Sequence, residues 1–408
     1  MYFHRHLTSR LLAPASRRKI HLLFGPRQTG KTALLAHSVP DAHRIDLGAP
    51  SRRRLYESDP GRLSRELKAL PKTTHNVVLD EIQKVPALLD EIQSLYDERP
   101  GRFAFFLTGS SARKLRTHSA NLLPGRSHVF RLGPVSLLET EGLGASVLAG
   151  QSATRLGADG RPFPVQSLSR HLTLGSLPGV RLESQASARA TLLAYVENYL
   201  EEEIRREAVV RDLGSFSQFI HLAALESGKP VNLTKLSQET GIGLSSLRNY
   251  YDVLVDTFVG YPIPAYGHPG RKRLLTTPKF LLFDLGVRNA AVDGAFDPKL
   301  LALHGGDLLE QWVGIELVTR ALAIESGVRI SFWRTVSGAE VDFVWETPKE
   351  HVPIEVKWTE RPRPEDARHL EVFLDAYPRR AKRGLVVCRV ASRQQLTDRV
   401  IAVPWDEL

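Results

Sequence analysis

A short apolar strand pattern, Ile20 to Phe24, runs straight into Gly25-Pro26-Arg27-Gln28-Thr29-Gly30-Lys31-Thr32, after which Ala33 to His37 reads as a helix. That order of strand, GxxxxGK[ST] loop and helix constrains the chain more than any other feature. It requires backbone to curl around phosphate oxygens at the end of a buried strand. The glycines let amide N–H groups surround the phosphates, and the positive end of the new helix dipole adds to them. In this pattern Lys31 reaches the β and γ phosphates while the Thr32 hydroxyl ligates Mg²⁺, so ATP with Mg²⁺ is the expected ligand. The fold class that carries such a loop is α/β.

Farther along, Asn76-Val77-Val78-Leu79-Asp80-Glu81 is an apolar strand ending in two acids. A carboxylate at the C-terminal end of a parallel strand can hold Mg²⁺ through water, which suits Asp80, and its neighbour Glu81 can orient or deprotonate an attacking water. The acids follow the loop by one or two βα units, the spacing expected of a single site. A third strand, Phe103 to Leu107, ends in Thr108-Gly109-Ser110-Ser111, where Thr108 or Ser110 can sense the γ-phosphate or cap the following helix. The reaction these residues suit is ATP hydrolysis. Gly25, Pro26, Arg27, Gln28, Thr29, Gly30, Lys31, Thr32, Asp80 and Thr108 form the nucleotide site, Thr32 and Asp80 serve the metal, and Lys31 and Glu81 are catalytic.

The stretches GPRQTGKT, VVLDEIQKVP and FFLTGSSARKL resemble the AAA-type ATPase module of a large group of bacterial and archaeal proteins, in which it is joined to a C-terminal region of unassigned function. The likeness covers nearly the whole chain and includes Leu123-Pro124-Gly125-Arg126 and the following segment from Leu132 to Glu139. It implies self-association into a ring or other homo-oligomer, with Arg126 as the arginine finger acting on a neighbouring subunit and Arg113 as the second candidate. Thr29 departs from the family, which usually has an apolar residue there. Its side chain is expected to face away from the phosphate, with little effect.

The 408 residues suffice for two to four domains, and 42% hydrophobic with 25% charged residues is ordinary for a globular chain. Every apolar run is broken by Arg, Asp or Glu before the roughly 18 to 20 residues that a membrane span needs. The charged start, with His4, Arg5, His6 and Arg10, does not resemble a secretory signal, so a cytoplasmic protein is expected. The one cysteine, Cys388, excludes an internal disulfide or a multi-cysteine zinc site and reads as a core residue. A net charge of +10, with basic clusters at Arg17-Arg18-Lys19, Arg52-Arg53-Arg54, Arg271-Lys272-Arg273 and Arg379 to Arg383, favours a polyanionic partner, and DNA is the first candidate.

The expected organisation is an ATPase domain over 1–140, a linker and helical segment over 141–210, a winged helix over 211–300 and a last α/β domain over 301–408. Ser187 to Glu207 patterns as a helix burying Leu193, Val196, Tyr199, Leu200 and Ile204, packed beside the ATPase. Asn232 can cap a helix carrying Leu233 and Leu236, Gly241-Ile242-Gly243 turns the chain, and a second helix runs from about Ser245 to Asp256. That is helix-turn-helix spacing. Leu247, Tyr250, Tyr251 and Leu254 form its buried stripe, leaving Ser246, Arg248 and Asn249 near the end that contacts DNA in such motifs, although winged helices also serve as protein–protein contacts or lids, the alternative being a nucleotide-dependent switch that binds a protein partner. Strands Val259 to Ala265 and Leu274 to Thr277 would flank a basic wing of Arg271, Lys272 and Arg273.

In the last segment Gly306 to Glu310 opens a helix bearing Trp312, Val313, Ile315, Leu317 and Val318, followed by strands Phe332 to Arg334, Glu340 to Val344 and Pro353 to Lys357. Because side chains alternate along a strand, Glu355 and Lys357 share a face while Ile354 and Val356 pack on the other. Asp342 and Glu355 can therefore converge. The pattern resembles that of PD-(D/E)xK nucleases, which implies a restriction-endonuclease-like α/β fold. It also implies Asp342 and Glu355 as Mg²⁺ ligands, Lys357 acting on the attacking water, and Glu310, with Glu316 as the alternative, as the helix acid.

Overall fold

The computed structural model describes residues 2–13, 19–113, 123, 125–142, 146–148, 160–200, 213–267, 277–292, 296–297, 299, 301–323 and 327–408. The chain divides into two units. The first comprises Met1–Gly133, Gly157–Arg161 and Asp256–Val259, the second Pro134–Leu156, Pro162–Val255 and Gly260–Leu408. The borders expected near residues 210 and 300 both fall within the second unit.

The first unit contains α1 (Thr8–Leu11), β1 (Ile20–Phe24), α2 (Lys31–Ser38), β2 (His43–Asp46), α3 (Pro50–Ser58), α4 (Arg62–Lys68), β3 (Asn76–Asp80), α5 (Leu88–Glu98), β4 (Ala104–Gly109) and β5 (Ser127–Arg131). The strands form one sheet in the order β2-β3-β4-β1-β5, and every pairing is parallel. β1 is buried along its length because both faces are covered. Ile20, Leu22 and Phe24 join Val77, Leu79, Phe105 and Leu107 in a core with Leu63, Leu88 and Ile92 of the helices. On the opposite face Leu23, Val78 and Phe106 pack with Leu34 and Leu35 of α2 and with Leu7 and Leu11. His21 shares that second face, its ring stacked 4.6 Å from Phe106, and burial lowers its pKa from 6.5 to about 4.

In the second unit come α6 (Leu168–Leu174), α7 (Pro178–Leu182), α8 (Gln185–Ala194), α9 (Leu213–Leu225), α10 (Leu233–Thr240), α11 (Leu244–Asp256, whose last residue counts with the first unit), β6 (Gly260–Ile263), β7 (Lys279–Leu282), α12 (Leu285–Ala291) and α13 (Leu301–Ala323). Then follow β8 (Arg329–Arg334), β9 (Glu340–Glu346), β10 (His351–Val356), α14 (Arg368–Ala376), β11 (Gly384–Cys388), β12 (Gln394–Gln395) and β13 (Val400–Pro404). The last six strands form a mixed sheet ordered β12-β13-β11-β10-β9-β8. β8, β9 and β10 are an antiparallel meander, whereas β10, β11 and β13 run parallel, with α14 as the crossover between β10 and β11. Leu370, Phe373 and Leu374 of α14 pack on Val341, Val344, Val386 and the buried Cys388.

Three expectations need correction here. The helix after Ser184 buries Ala188, Leu192 and Tyr195 and continues from Tyr195 to Leu200 as a π turn, whose wider step makes Leu200 the next buried residue; Ile204 lies outside the described residues. Leu193, expected inside, is exposed, and α8 packs on α6 and α12 of its own unit. The second hairpin strand is Lys279–Leu282, pairing Ile263↔Lys279 through Gly260↔Leu282; Thr277 lies outside it, and residues 274–276 of the expected strand lie outside the described residues. The long helix begins at Leu301, so Gly305 and Gly306 lie inside it. Gly305 is needed there, since a Cβ on it would come within 2.4 Å of the Trp358 indole. Among the described residues no helix is long and apolar enough to cross a membrane.

Candidate active site

The C-terminal ends of β1, β3 and β4 meet at one edge of the parallel sheet, where the strand order places binding sites in folds of this kind. The loop after β1 leaves the strand at Gly25, where a side chain is impossible: a Cβ there would sit 2.2 Å from the Leu132 carbonyl oxygen. Gln28 and Gly30 take positive φ (60° and 90°), which curls the loop before α2 starts at Lys31. The Lys31 ammonium turns back into that curl and donates to the carbonyl oxygens of Gly25 (2.8 Å) and Pro26 (2.7 Å). Thr29 is fully buried and its hydroxyl donates to Pro26 O at 2.9 Å, so its polar atom is satisfied within the loop. Arg5, which sequence reasoning passed over, is buried and donates to the carbonyls of Thr29 and, at 2.8 Å, Gly133, bracing the loop.

The Thr32 hydroxyl, one residue into α2, donates to Asp80 Oδ2 at 2.8 Å. Asp80 Oδ1 accepts from the buried Thr108 hydroxyl at the end of β4, and the same hydroxyl accepts from Glu81 N at 3.2 Å. Thr108 thereby fixes both acids. Glu81 sits in the left-handed region (φ 60°, ψ 46°), a conformation that costs a non-glycine residue about 1 kcal/mol or more and aims its side chain off the strand direction. Its Oε2 accepts from Gln83 Nε2 at 2.7 Å and from Ser110 Oγ at 3.3 Å, and Gln83 Nε2 also donates to Ser110 Oγ at 2.9 Å. Gln83 is the second residue that the sequence reading missed. A loop that admits no side chain at Gly25, an ammonium drawn into it, and a hydroxyl–carboxylate pair at its rim are the donor set that a Mg²⁺–nucleotide requires, so these residues fit that ligand. When bound, the nucleotide supplies the phosphoanhydride to be cleaved and the Mg²⁺ the charge that offsets its oxygens.

Arg126 lies at the other edge of the sheet. It immediately precedes Ser127, which pairs with Ile20, the first residue of β1, whereas the loop follows the last. Its Nε donates to Asp97 Oδ1 of α5 at 2.8 Å. Arg113, just beyond β4, has its backbone N–H on the Ser111 hydroxyl at 3.2 Å.

In the second unit, Asn232 caps α10 by accepting from Lys235 N at 3.0 Å, and Gly241 ends that helix in the left-handed conformation. α11 buries Leu247, Tyr250, Tyr251, Val253 and Leu254, leaving Arg248 exposed and Ser246 and Asn249 half-buried. The expected wing residues Arg271, Lys272 and Arg273 lie outside the described residues.

The C-terminal acids do come together, around a cation that the sequence reading did not include. Asp342 Oδ2 accepts from Val356 N at 2.8 Å, and the Lys357 ammonium pairs with Glu355 Oε1 at 2.7 Å. Lys279, buried at the head of β7, pairs with Glu310 Oε1 (3.0 Å) and Glu340 Oε1 (3.2 Å). Burial, followed by the charge of Asp342, pushes Glu310 up to about 7 despite Lys279. Asp342 is likewise raised, by burial and by Glu355, and Glu355 is raised by burial against the pull of Lys357. Burial alone would lower Lys279, but Glu310, Asp342 and Glu340 reverse this and hold it above the usual lysine value. Glu316 belongs elsewhere: it is paired with Arg320 at 2.5 Å and accepts from Leu137 N at 3.1 Å, which leaves Glu310 as the helix acid of the cluster. Among the described residues, no group of three or more His, Cys, Asp or Glu side chains is arranged to hold a metal ion.

Residues 17–141 match the family model described as an AAA domain, while 165–298 and 305–408 match two domains of unknown function, DUF8612 and DUF4143. An uncharacterised protein of Mycobacterium tuberculosis is 25% identical over 414 residues, covering 99% of this chain and 84% of the relative. One of Haemophilus influenzae is 24% identical over 354 residues, covering 83% and 82%. Among solved structures, a Walker-type ATPase of Pyrococcus abyssi superposes with a TM-score of 0.46 at 16% identity, covering 71% of this chain and 96% of its own. The first unit is thus AAA-like by sequence.

Proposed function

We propose that the chain is a Mg²⁺-dependent ATPase whose hydrolysis is tied to DNA binding and which acts as a homo-oligomer. The observation that carries this reading is the 2.8 Å bond from Thr32 to Asp80 beside a loop that draws in the Lys31 ammonium. In it Lys31 neutralises phosphate charge, Thr32 and Asp80 orient the metal, and Glu81 takes the proton of the attacking water at a carboxylate oxygen. Gln83 and Ser110 set where that carboxylate stands, and Thr108 sets Asp80. Arg126, at the sheet edge away from its own loop, suits action on a neighbouring subunit. DNA is the polyanion favoured by the net charge of +10 and by Arg248 exposed at the start of α11. The α10–turn–α11 arrangement followed by the β6–β7 hairpin supports a winged-helix reading, in which Ser246, Arg248 and Asn249 would contact base edges and the basic run Arg271, Lys272 and Arg273 would supply phosphate contacts.

The test is steady-state ATP hydrolysis with and without duplex, single-stranded and branched DNA. At least one form is expected to raise the rate several-fold, and Arg248→Ala to reduce that stimulation. A rate indifferent to all three, with no DNA retained even at low salt, overturns the DNA assignment.

A further inference from the structure

We infer that the Lys279 ammonium is the resident cation of the C-terminal carboxylate cluster, standing where a divalent ion would stand, so that the cluster as folded takes up no divalent metal. Lys279 reaches in from β7 to a carboxylate on α13 and another on β9, at 3.0 and 3.2 Å, with the charge of Asp342 also upon it. Bringing together acids from separate elements is the task a metal performs in metal-dependent phosphodiesterases. Here it falls to a side chain that the fold cannot release. The Lys279 side chain is 5% exposed, and its Nζ lies 5.5 and 5.8 Å from the Phe332 and Phe343 ring centres, whose faces favour a cation. Its backbone is held on both sides, by Ile263 in the hairpin and by a bridge to Pro230.

Other groups engage the neighbouring carboxylates as well. Lys357 takes Glu355 Oε1, Val356 N takes Asp342 Oδ2, and Glu355 Oε2 is left buried with no hydrogen-bond partner. The ammonium groups of Lys279 and Lys357 already bring to these carboxylates the positive charge that an ion would supply. Their repulsion then opposes an incoming divalent ion. The PD-(D/E)xK-like residues Asp342, Glu355 and Lys357 then serve the fold electrostatically and do not cleave DNA in this state. This inference is independent of the ATPase proposal, since it concerns other residues and stands whether or not the chain hydrolyses ATP.

The experiment is Mn²⁺ binding to the full chain without nucleotide, by calorimetric titration, for the wild type, Asp342→Asn, Lys279→Met, Lys279→Arg and Lys279→Met with Asp342→Asn. Wild type and Asp342→Asn are expected to give the same isotherm, because any Mn²⁺ held by Thr32 and Asp80 is common to both. Lys279→Met keeps the aliphatic stem and loses the charge, and is expected to gain one further Mn²⁺ at least tenfold tighter than any wild-type binding. That gain should vanish in the double variant and be absent from Lys279→Arg. A wild-type Mn²⁺ site lost in Asp342→Asn overturns the inference, as does a folded Lys279→Met that gains none. Should Lys279→Met fail to fold, the wild-type and Asp342→Asn isotherms decide alone: identity supports the inference and a lost site refutes it.

Discussion

Replacing Glu316 by Ala should unsettle the second unit more than any change on its surface. The Glu316 and Arg320 side chains are 4% and 3% exposed and meet at 2.5 Å one helical turn apart on α13. Arg320 also donates to Ser146 Oγ at 2.7 Å and to the Leu408 carbonyl, while Glu316 accepts the Leu137 N–H that opens the turn Leu137–Glu139. Removing the carboxylate leaves a guanidinium buried without its counter-charge, which costs about 3 to 5 kcal/mol. The orphaned Leu137 N–H adds about 1 kcal/mol. At about 2 to 4 °C per kcal/mol for a unit of this size, the corresponding transition should fall by roughly 10 to 20 °C. The assay is urea and thermal unfolding of the wild type, Glu316→Ala, Arg320→Met and the pair together. The two single losses should not add: with both charges gone no uncompensated ion remains, and the coupling should reach about 2 kcal/mol or more. A loss below about 1 kcal/mol for Glu316→Ala, or strict additivity, would refute the claim that this pair is a buried structural tie.

Arg126→Ala should lose hydrolysis while each subunit still binds ATP, and mixing it with Lys31→Ala subunits should restore part of the rate, because an intact Lys31 loop can then face an intact Arg126. Recovery in no mixture of folded, assembled proteins would count against action between subunits. DNA affinity should fall steeply with salt, and replacing Arg271, Lys272 and Arg273 by Ala should reduce the slope of log affinity against log salt by up to about three if each neutralises a phosphate; an unchanged slope would remove them from the DNA surface. The folded pKa of His21, about 4, lies below the ordinary 6.5, so its contribution to stability is present above pH 6.5 and is lost as pH falls toward 4, at about 1.4 kcal/mol for each pH unit between the two values. His21→Phe, which keeps the stack on Phe106, should flatten the stability-against-pH curve between pH 6.5 and 4, and parallel curves for the two proteins would contradict this.

The nucleotide site was legible because its signals are local: a strand, a loop and a helix in immediate succession, then acids closing a second strand. Partners distant in the chain left no such mark. Arg5 braces the loop through carbonyls 24 and 128 residues away, and Gln83 meets Ser110 only because β4 lies beside β3 in the sheet. The only hint at Gln83 was an amide two residues beyond a catalytic acid. Lys279 heads the apolar run Phe280 to Phe283, and a lysine so placed is either an edge charge or a buried ion. Only the approach of α13 and β9 decides between them. Period counting chose the wrong phase at Leu193, and the 3.6 repeat itself gave way at Tyr195–Leu200; composition failed at Gly305, where glycine marks a close helix–indole contact rather than a helix end.

ATP hydrolysis at this site is tested by the rate of phosphate release from ATP by the wild type, Lys31→Ala and Glu81→Gln, with ATP binding measured in parallel. Mg²⁺-dependent turnover is expected of the wild type, loss of turnover with weakened binding of Lys31→Ala, and binding without appreciable turnover of Glu81→Gln, which keeps the shape of the side chain and loses the base. Hydrolysis by Glu81→Gln at the wild-type rate, or by Lys31→Ala at any rate approaching it, would remove these residues from the roles of base and phosphate-binding cation.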